Sequence, residues 1–214
     1  MGKYSKKGTY SGYDKNNKER EALDYYATPT IEALNILETI KPDFNDKIVL
    51  DNSCGGGHIL EAILMYIDKY DQKPSRIIGT DIKDRGYRND RVELYYGDEY
   101  DFLSDNYPFI ANFTIMNPPY SIIEPFVLHS LDNTTDTVLM LGRTQFLEGQ
   151  SRHDKVFAQK KLKNIYHYVD RIACCKNGDF TIKPSSIHAY AWFMFDNNYR
   201  GYPTLEWIRR SDKK

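Results

Sequence analysis

Lys47-Ile48-Val49-Leu50-Asp51-Asn52-Ser53-Cys54-Gly55-Gly56-Gly57-His58 is the stretch that leaves this chain the fewest folds. A short apolar strand ends in an acid, passes through three glycines and enters a helix that begins near His58. Glycines let a backbone approach a ligand closely, and a helix start offers free N–H groups. The pattern is not GxGxxG, so a nicotinamide cofactor is not the first choice. A second apolar run, Arg76-Ile77-Ile78-Gly79-Thr80-Asp81-Ile82, again closes on an acid. An acid about 20 residues or slightly more beyond a glycine turn suits a ribose diol. His58 reads as a helix-start residue rather than a metal ligand, because no partner at ligand spacing accompanies it.

Asn117-Pro118-Pro119-Tyr120 follows the apolar run Phe113-Thr114-Ile115-Met116, which places it where a buried strand ends and its loop begins. That is the carboxyl edge of an α/β sheet, where such folds hold their ligands. Two consecutive prolines remove two N–H donors and fix φ, so the loop is stiff and its carbonyl oxygens stay unpaired. An amide side chain and a free carbonyl are what an exocyclic amine needs. Such an amine is a poor nucleophile while its lone pair is delocalised into a ring. If the Asn117 side-chain oxygen and the Pro118 main-chain oxygen each accept one of its N–H bonds, the nitrogen is drawn toward tetrahedral geometry. Tyr120 offers a face for a flat ring, a contact worth about 1–3 kcal/mol per base. No ionised base is required.

Asn-Pro-Pro-Tyr resembles motif IV of the amino-methyltransferases that use S-adenosylmethionine, and Asn in its first place resembles the N6-adenine branch. Asp51 through the glycines resembles motif I of that superfamily, with Asn52 where Pro is usual. The resemblance implies that Asp51 accepts a hydrogen bond from the cofactor's methionine amino group, with Ser53, Gly55 and Gly57 in the same loop, and that Asp81 and Ile82 form motif II. Tyr26-Ala27-Thr28-Pro29 resembles motif X, which lies beside the methionine end. Because it precedes motif I, the order looks like the γ arrangement. Asp98 and Asp101 compete for the cofactor's adenine amino group. Asp101 is preferred, because Asp101-Phe102-Leu103 resembles motif III, with Phe102 beside the adenine ring. Phe146-Leu147-Glu148-Gly149, Ala189-Tyr190-Ala191-Trp192-Phe193 and Gly201-Tyr202-Pro203 resemble the small methyltransferases of bacteriophages and prophages, a likeness running from about Tyr25 to Trp207.

Other strands are expected at Val92–Tyr96, Val138–Leu141, Ile165–Val169 and His188–Phe195. Helical spacing marks Ile31–Ile40, Ile122–Leu131 and Arg152–Leu162, with Thr28 as N-cap and Pro29 in the first helical position of the first of these. The expectation is an α/β Rossmann-like class I methyltransferase fold, a seven-stranded, mostly parallel sheet with an antiparallel edge hairpin. The 214 residues suit one domain, 21–214, behind a basic arm, 1–20, with no separate recognition domain.

The expected activity is methyl transfer from S-adenosylmethionine to the N6 amine of a flipped adenine in duplex or single-stranded DNA. Phe180 could form a second wall around the base, and Arg143 and Arg152 contact phosphates. An RNA base, a protein glutamine, or a catalytically silent binding protein are the alternatives. Base reading must come from short loops, the arm or a homodimer partner. Three cysteines, none in a CxxC pair, give neither a disulfide framework nor a zinc site, and no metal is expected. No stretch reaches the roughly 18–20 apolar residues of a membrane span, so a cytoplasmic location in a bacterial host is expected. A net charge of −1 leaves nucleic-acid binding to local charge rather than overall balance.

Overall fold

Apolar residues of β2 (Ile48–Asp51), β5 (Ala111–Met116), β6 (Thr134–Arg143) and β9 (Tyr190–Asp196) alternate between two cores. Val49, Phe113, Ile115, Leu139, Leu141 and Trp192 pack on one side of the sheet, and Leu50, Met116, Val138, Met140, Ala191 and Phe193 on the other. Successive residues of a strand point to opposite faces, so strands apolar at every position must be covered on both. Helices α1 (Thr30–Ile40) and α2 (His58–Lys69) cover the first side, and α3 (Ile123–Asp132) the second. This is the computed structural model of the chain, and it describes residues 25–172, 174–176, 178 and 188–213.

The main sheet has eight strands in the order β10 (Thr204–Ile208), β7 (Leu162–Tyr168), β9, β6, β5, β2, β3 (Arg76–Asp81), β4 (Glu93–Tyr96). All run parallel except β9, which lies antiparallel between β6 and β7. The fold class is therefore the expected one, with one strand more than foreseen. Because β10 pairs parallel to β7, the antiparallel pair sits one strand in from the edge. The edge strand leaves Leu205 and Trp207 exposed. A separate two-stranded sheet joins β1 (Tyr26–Ala27) to β8 (Cys175–Lys176), antiparallel, with Tyr26 opposite Lys176.

Two local expectations are corrected. Thr28 is not the N-cap of α1: Pro29 occupies that boundary, its carbonyl accepts from the N–H of Glu32 at 2.9 Å and Ala33 at 3.1 Å, and no side chain caps the helix. The stretch from Arg152 to Leu162 is not one helix. After α4 (Gln150–Lys155) a 3-10 turn at Phe157–Gln159 ends at Lys160 in the left-handed region, φ 58°, and Leu162 already belongs to β7. Among the described residues no helix is long and apolar enough to cross a membrane. Residues 1–20 and Phe180 lie outside the described residues.

Candidate active site

Because β2, β3, β5 and β6 are parallel, their last residues meet at one edge of the sheet. Asp51 ends β2, Asp81 ends β3, Asn117 follows β5 and Arg143 ends β6. A cleft of about 240 Å³, counted out to its open mouth, is lined there by Tyr25, Tyr26, Thr28, Asp51, Ser53 and Asn117, among others. The structure thus brings together motif residues 91 positions apart in the chain, such as Tyr26 and Asn117.

The glycine loop is shaped by its own hydrogen bonds. The Ser53 N–H donates to Asp51 Oδ1 at 3.2 Å, the Cys54 N–H to the Thr80 carbonyl at 3.0 Å and the Gly55 N–H to Asp81 Oδ2 at 2.9 Å. Gly57 then opens α2 with φ 80°. A Cβ on Gly57 would lie 2.2 Å from the Tyr87 ring, and one on Gly55 would lie 2.4 Å from the Tyr25 ring. The glycines are therefore required by the aromatic rings seated on them as well as by φ. Helix α2 begins at His58 as the sequence implies, and burial pushes that imidazole below its usual range, toward the neutral form.

Asp51 is 1% exposed, and burial holds its carboxyl well above the usual carboxylate range; the Ser53 N–H opposes this and the nearby Asp81 charge adds to it. Asp81 is raised mainly by burial too, against the N–H groups of Lys83 and Gly55 and the Arg85 guanidinium. An acid whose folded pKa is raised binds more protons folded than unfolded. Stability then falls as pH rises from about 3.9, the unfolded value, through the raised value. Asp51→Asn keeps the acceptor for Ser53 and removes that loss. Without ligand, it is expected to melt higher than the parent at pH 7, with the difference vanishing near pH 4, as scanning calorimetry would show.

Thr28 and Ser53, two residues of the cleft lining, carry buried hydroxyl oxygens with no hydrogen-bond partner among the described residues. Buried hydroxyls without partners are costly, and such groups in a cleft beside a buried acid suit a polar ligand. Ile82 follows Asp81 and is partly buried. Asp101 is 8% exposed, and its Oδ1 accepts from the Leu103 N–H at 3.0 Å, whereas Asp98 is exposed in a 3-10 turn. Phe102 is enclosed by Tyr107, Phe126 and His129, their ring centres 4.9–5.1 Å away, and is only 2% exposed.

The Asn117 amide, also on the cleft lining, is held from both sides. Its Nδ2 donates to the Tyr26 carbonyl at 2.6 Å, and its Oδ1 accepts from the Tyr120 hydroxyl at 3.0 Å. Pro118 is buried and Pro119 partly so. The Tyr120 ring is not an open platform. It stacks on Tyr26 with centres 5.7 Å apart and planes 27° apart, and the Arg143 guanidinium lies 4.6 Å from its centre. Arg143 Nε is buried with no hydrogen-bond partner among the described residues. Arg152 instead folds back over the residues before its helix, its Nε donating to the Glu148 carbonyl at 2.6 Å. Behind Tyr120 stand Tyr190, ring centres 6.0 Å apart, and Cys174, whose thiol burial pushes up to about 12.

Sequence reasoning assigned Tyr26 but not its neighbour Tyr25, whose hydroxyl accepts from the Gly56 N–H at 2.9 Å under the Arg85 guanidinium. Tyr190 and Cys174 were also missed. The doubled tyrosine ahead of Thr28-Pro29 was the available signal for the first; none marked the others.

No protein-family model and no curated protein sequence matches the chain. Solved structures do. The methyltransferase subunit of a type I restriction-modification system from Streptococcus thermophilus is 14% identical over 89% of this chain and 48% of its own length, with a TM-score of 0.59. A protein described as a hemolysin from Lactococcus lactis is 12% identical over 86% of this chain and 94% of that one, with a TM-score of 0.57. One assigned as a class I S-adenosylmethionine-dependent methyltransferase from Listeria monocytogenes is 13% identical over 85% and 63%, also at 0.57. The chain spans about half the length of the type I subunit. Together with the strand order and the edge at which the motifs meet, these likenesses give the chain the Rossmann-like α/β fold found among S-adenosylmethionine-dependent methyltransferases.

Proposed function

We propose that this chain transfers a methyl group from S-adenosylmethionine to the N6 amine of an adenine in DNA. The observation that carries the reading is the juxtaposition of a buried acid, a glycine loop and an amide on one cleft: Asp51, Ser53 and Asn117 line it together. The cofactor supplies a sulfonium methyl group, an electrophile that needs no metal to react. Its fit rests on the unpaired Thr28 and Ser53 hydroxyls and the buried Asp51 carboxyl, whose charged form an adjacent ammonium would favour against the effect of burial.

The roles proposed are those that the motif resemblance implies. Asp51, with Tyr26, Thr28, Pro29, Ser53, Gly55 and Gly57, holds the methionine end. Asp81 takes the ribose, since a carboxylate accepting one N–H on each oxygen keeps lone pairs for hydroxyls. Asp101 takes the cofactor's adenine amine, with Ile82 and Phe102 beside the ring. Asn117 Oδ1 and the Pro118 carbonyl accept the N–H bonds of the target amine. The Tyr120 hydroxyl now occupies Asn117 Oδ1, so the entering amine displaces it. Positioning and hydrogen bonding do the catalytic work. The target base leaves its stack to reach Asn117. Arg143, Arg152 and the basic arm supply phosphate contacts, and residues 21–214 act as one domain.

The test is transfer of label from S-adenosylmethionine to DNA, read as N6-methyladenine after digestion. Asp81→Ala gives the companion result. Losing charged hydrogen bonds worth about 1.5–3 kcal/mol should weaken cofactor binding by roughly 10- to 150-fold in calorimetry. Unchanged affinity would remove Asp81 from the cofactor site.

A further inference from the structure

Two adjacent tyrosines tie the glycine loop to the Asn117 amide. The Tyr25 hydroxyl accepts from the Gly56 N–H at 2.9 Å, and its ring lies under the Arg85 guanidinium, 3.9 Å from the ring centre. One residue on, the Tyr26 carbonyl accepts from Asn117 Nδ2 at 2.6 Å, while the Tyr26 ring stacks on Tyr120. Pairing of Tyr26–Ala27 with Cys175–Lys176 fixes the strand from behind. Both loops are thus anchored to neighbouring residues of one short segment.

The carbonyl contact decides more than packing. An amide has a donor end and an acceptor end, and a partner on one fixes which way the other faces. With Nδ2 spent on Tyr26, Oδ1 is the end left to meet the Tyr120 hydroxyl or an entering amine. Moving the Tyr26 carbonyl therefore turns the acceptor. The glycine loop has a matching handle, because any group that takes the Gly56 N–H must displace the Tyr25 hydroxyl.

We infer that Tyr25 and Tyr26 form a positioning strap through which occupancy of the glycine loop sets the orientation of the Asn117 amide. Neither residue needs to touch a reacting atom. The strap makes acceptor geometry depend on the state of the loop. The ligand part of this inference rests on the cofactor reading above; the mechanical link between Gly56 and Asn117 does not.

Tyr25→Phe is the decisive variant, since it keeps the ring and its contact with Arg85 and removes only the hydroxyl. The readouts are the backbone N–H of Gly56 and the side-chain NH₂ of Asn117 in nitrogen-15 spectra, the latter assigned by its loss in Asn117→Asp. In the ligand-free protein, Tyr25→Phe is expected to shift both signals. Arg85→Ala, which frees the ring from its other side, should shift the same pair less. S-adenosylhomocysteine added to the parent protein should move both with one midpoint; in Tyr25→Phe it should move Gly56 and leave Asn117 in place. A Gly56 shift in ligand-free Tyr25→Phe with Asn117 unmoved would overturn the strap. If S-adenosylhomocysteine moves nothing, the cofactor reading fails, while the ligand-free comparison still decides whether the link exists.

Discussion

Asn117→Ala is expected to lower methyl transfer by about 10²–10³-fold in kcat, the usual cost of one preorganised hydrogen-bonding group at a reacting centre, with cofactor affinity held within a few-fold. The split follows from geometry. Asn117 follows β5 whereas Asp81 ends β3, with β2 between them, and the two hydrogen bonds of Asn117 go to Tyr26 and Tyr120, not to the glycine loop. Alanine removes the acceptor for the target amine and leaves the Tyr120 hydroxyl without a partner on that side. Asn117→Asp is a stricter probe. It keeps an acceptor oxygen but sets a carboxylate where Nδ2 donated to the Tyr26 carbonyl, placing two acceptors against each other. Activity between that of the parent and the alanine variant is expected, measured as single-turnover transfer at saturating cofactor. Equal loss of cofactor affinity in Asn117→Ala and Asp81→Ala would contradict the separation of roles.

Gly57→Ala is expected to destabilise the fold by about 3 kcal/mol or more, combining left-handed backbone strain with overpacking. Its φ is 80°, and the new Cβ would lie 2.2 Å from the Tyr87 ring. That ring cannot simply withdraw, because the Tyr87 hydroxyl donates to Glu61 on α2 at 2.7 Å. Gly86 is the control, with φ 83° but nothing within 4 Å of a Cβ, so alanine there should cost only about 1–2 kcal/mol. Urea unfolding of the two variants separates strain from collision. Similar losses at both would show that the Tyr87 contact is soft.

The strand ends that meet at the candidate site were legible because the signals are local. An apolar run that stops at Asp51, Asp81 or Asn117 marks the point where a buried strand ends and its loop begins, and parallel order then gathers those points on one edge. Asp101 was preferred to Asp98 on motif grounds, and the structure buries the first and exposes the second. Thr28 was misread because Thr-Pro fits a cap equally well one residue earlier. The Pro29 carbonyl takes the first helical bonds, and Thr28 lines the cleft with a buried hydroxyl that caps nothing. Helical spacing past Lys155 was overridden by pairing of Leu162 with Phe195, a contact decided by the sheet. Strand β10 was missed because it lacks the alternation of a half-buried strand, four of its five residues being exposed. The packing of Tyr120 against Tyr26 and Arg143 depends on three distant segments converging, which no local pattern encodes.

The measurement that bears most directly on the central claim is incubation with labelled S-adenosylmethionine and, separately, duplex DNA, single-stranded DNA and RNA, followed by nucleoside analysis. The account predicts N6-methyladenine in DNA, absent with Asn117→Ala. Label in RNA or on protein would keep the chemistry of Asn117 and contradict the substrate. Firm cofactor binding with no transfer to any of them would contradict the assignment of Asn117 and Pro118 as a working amine site.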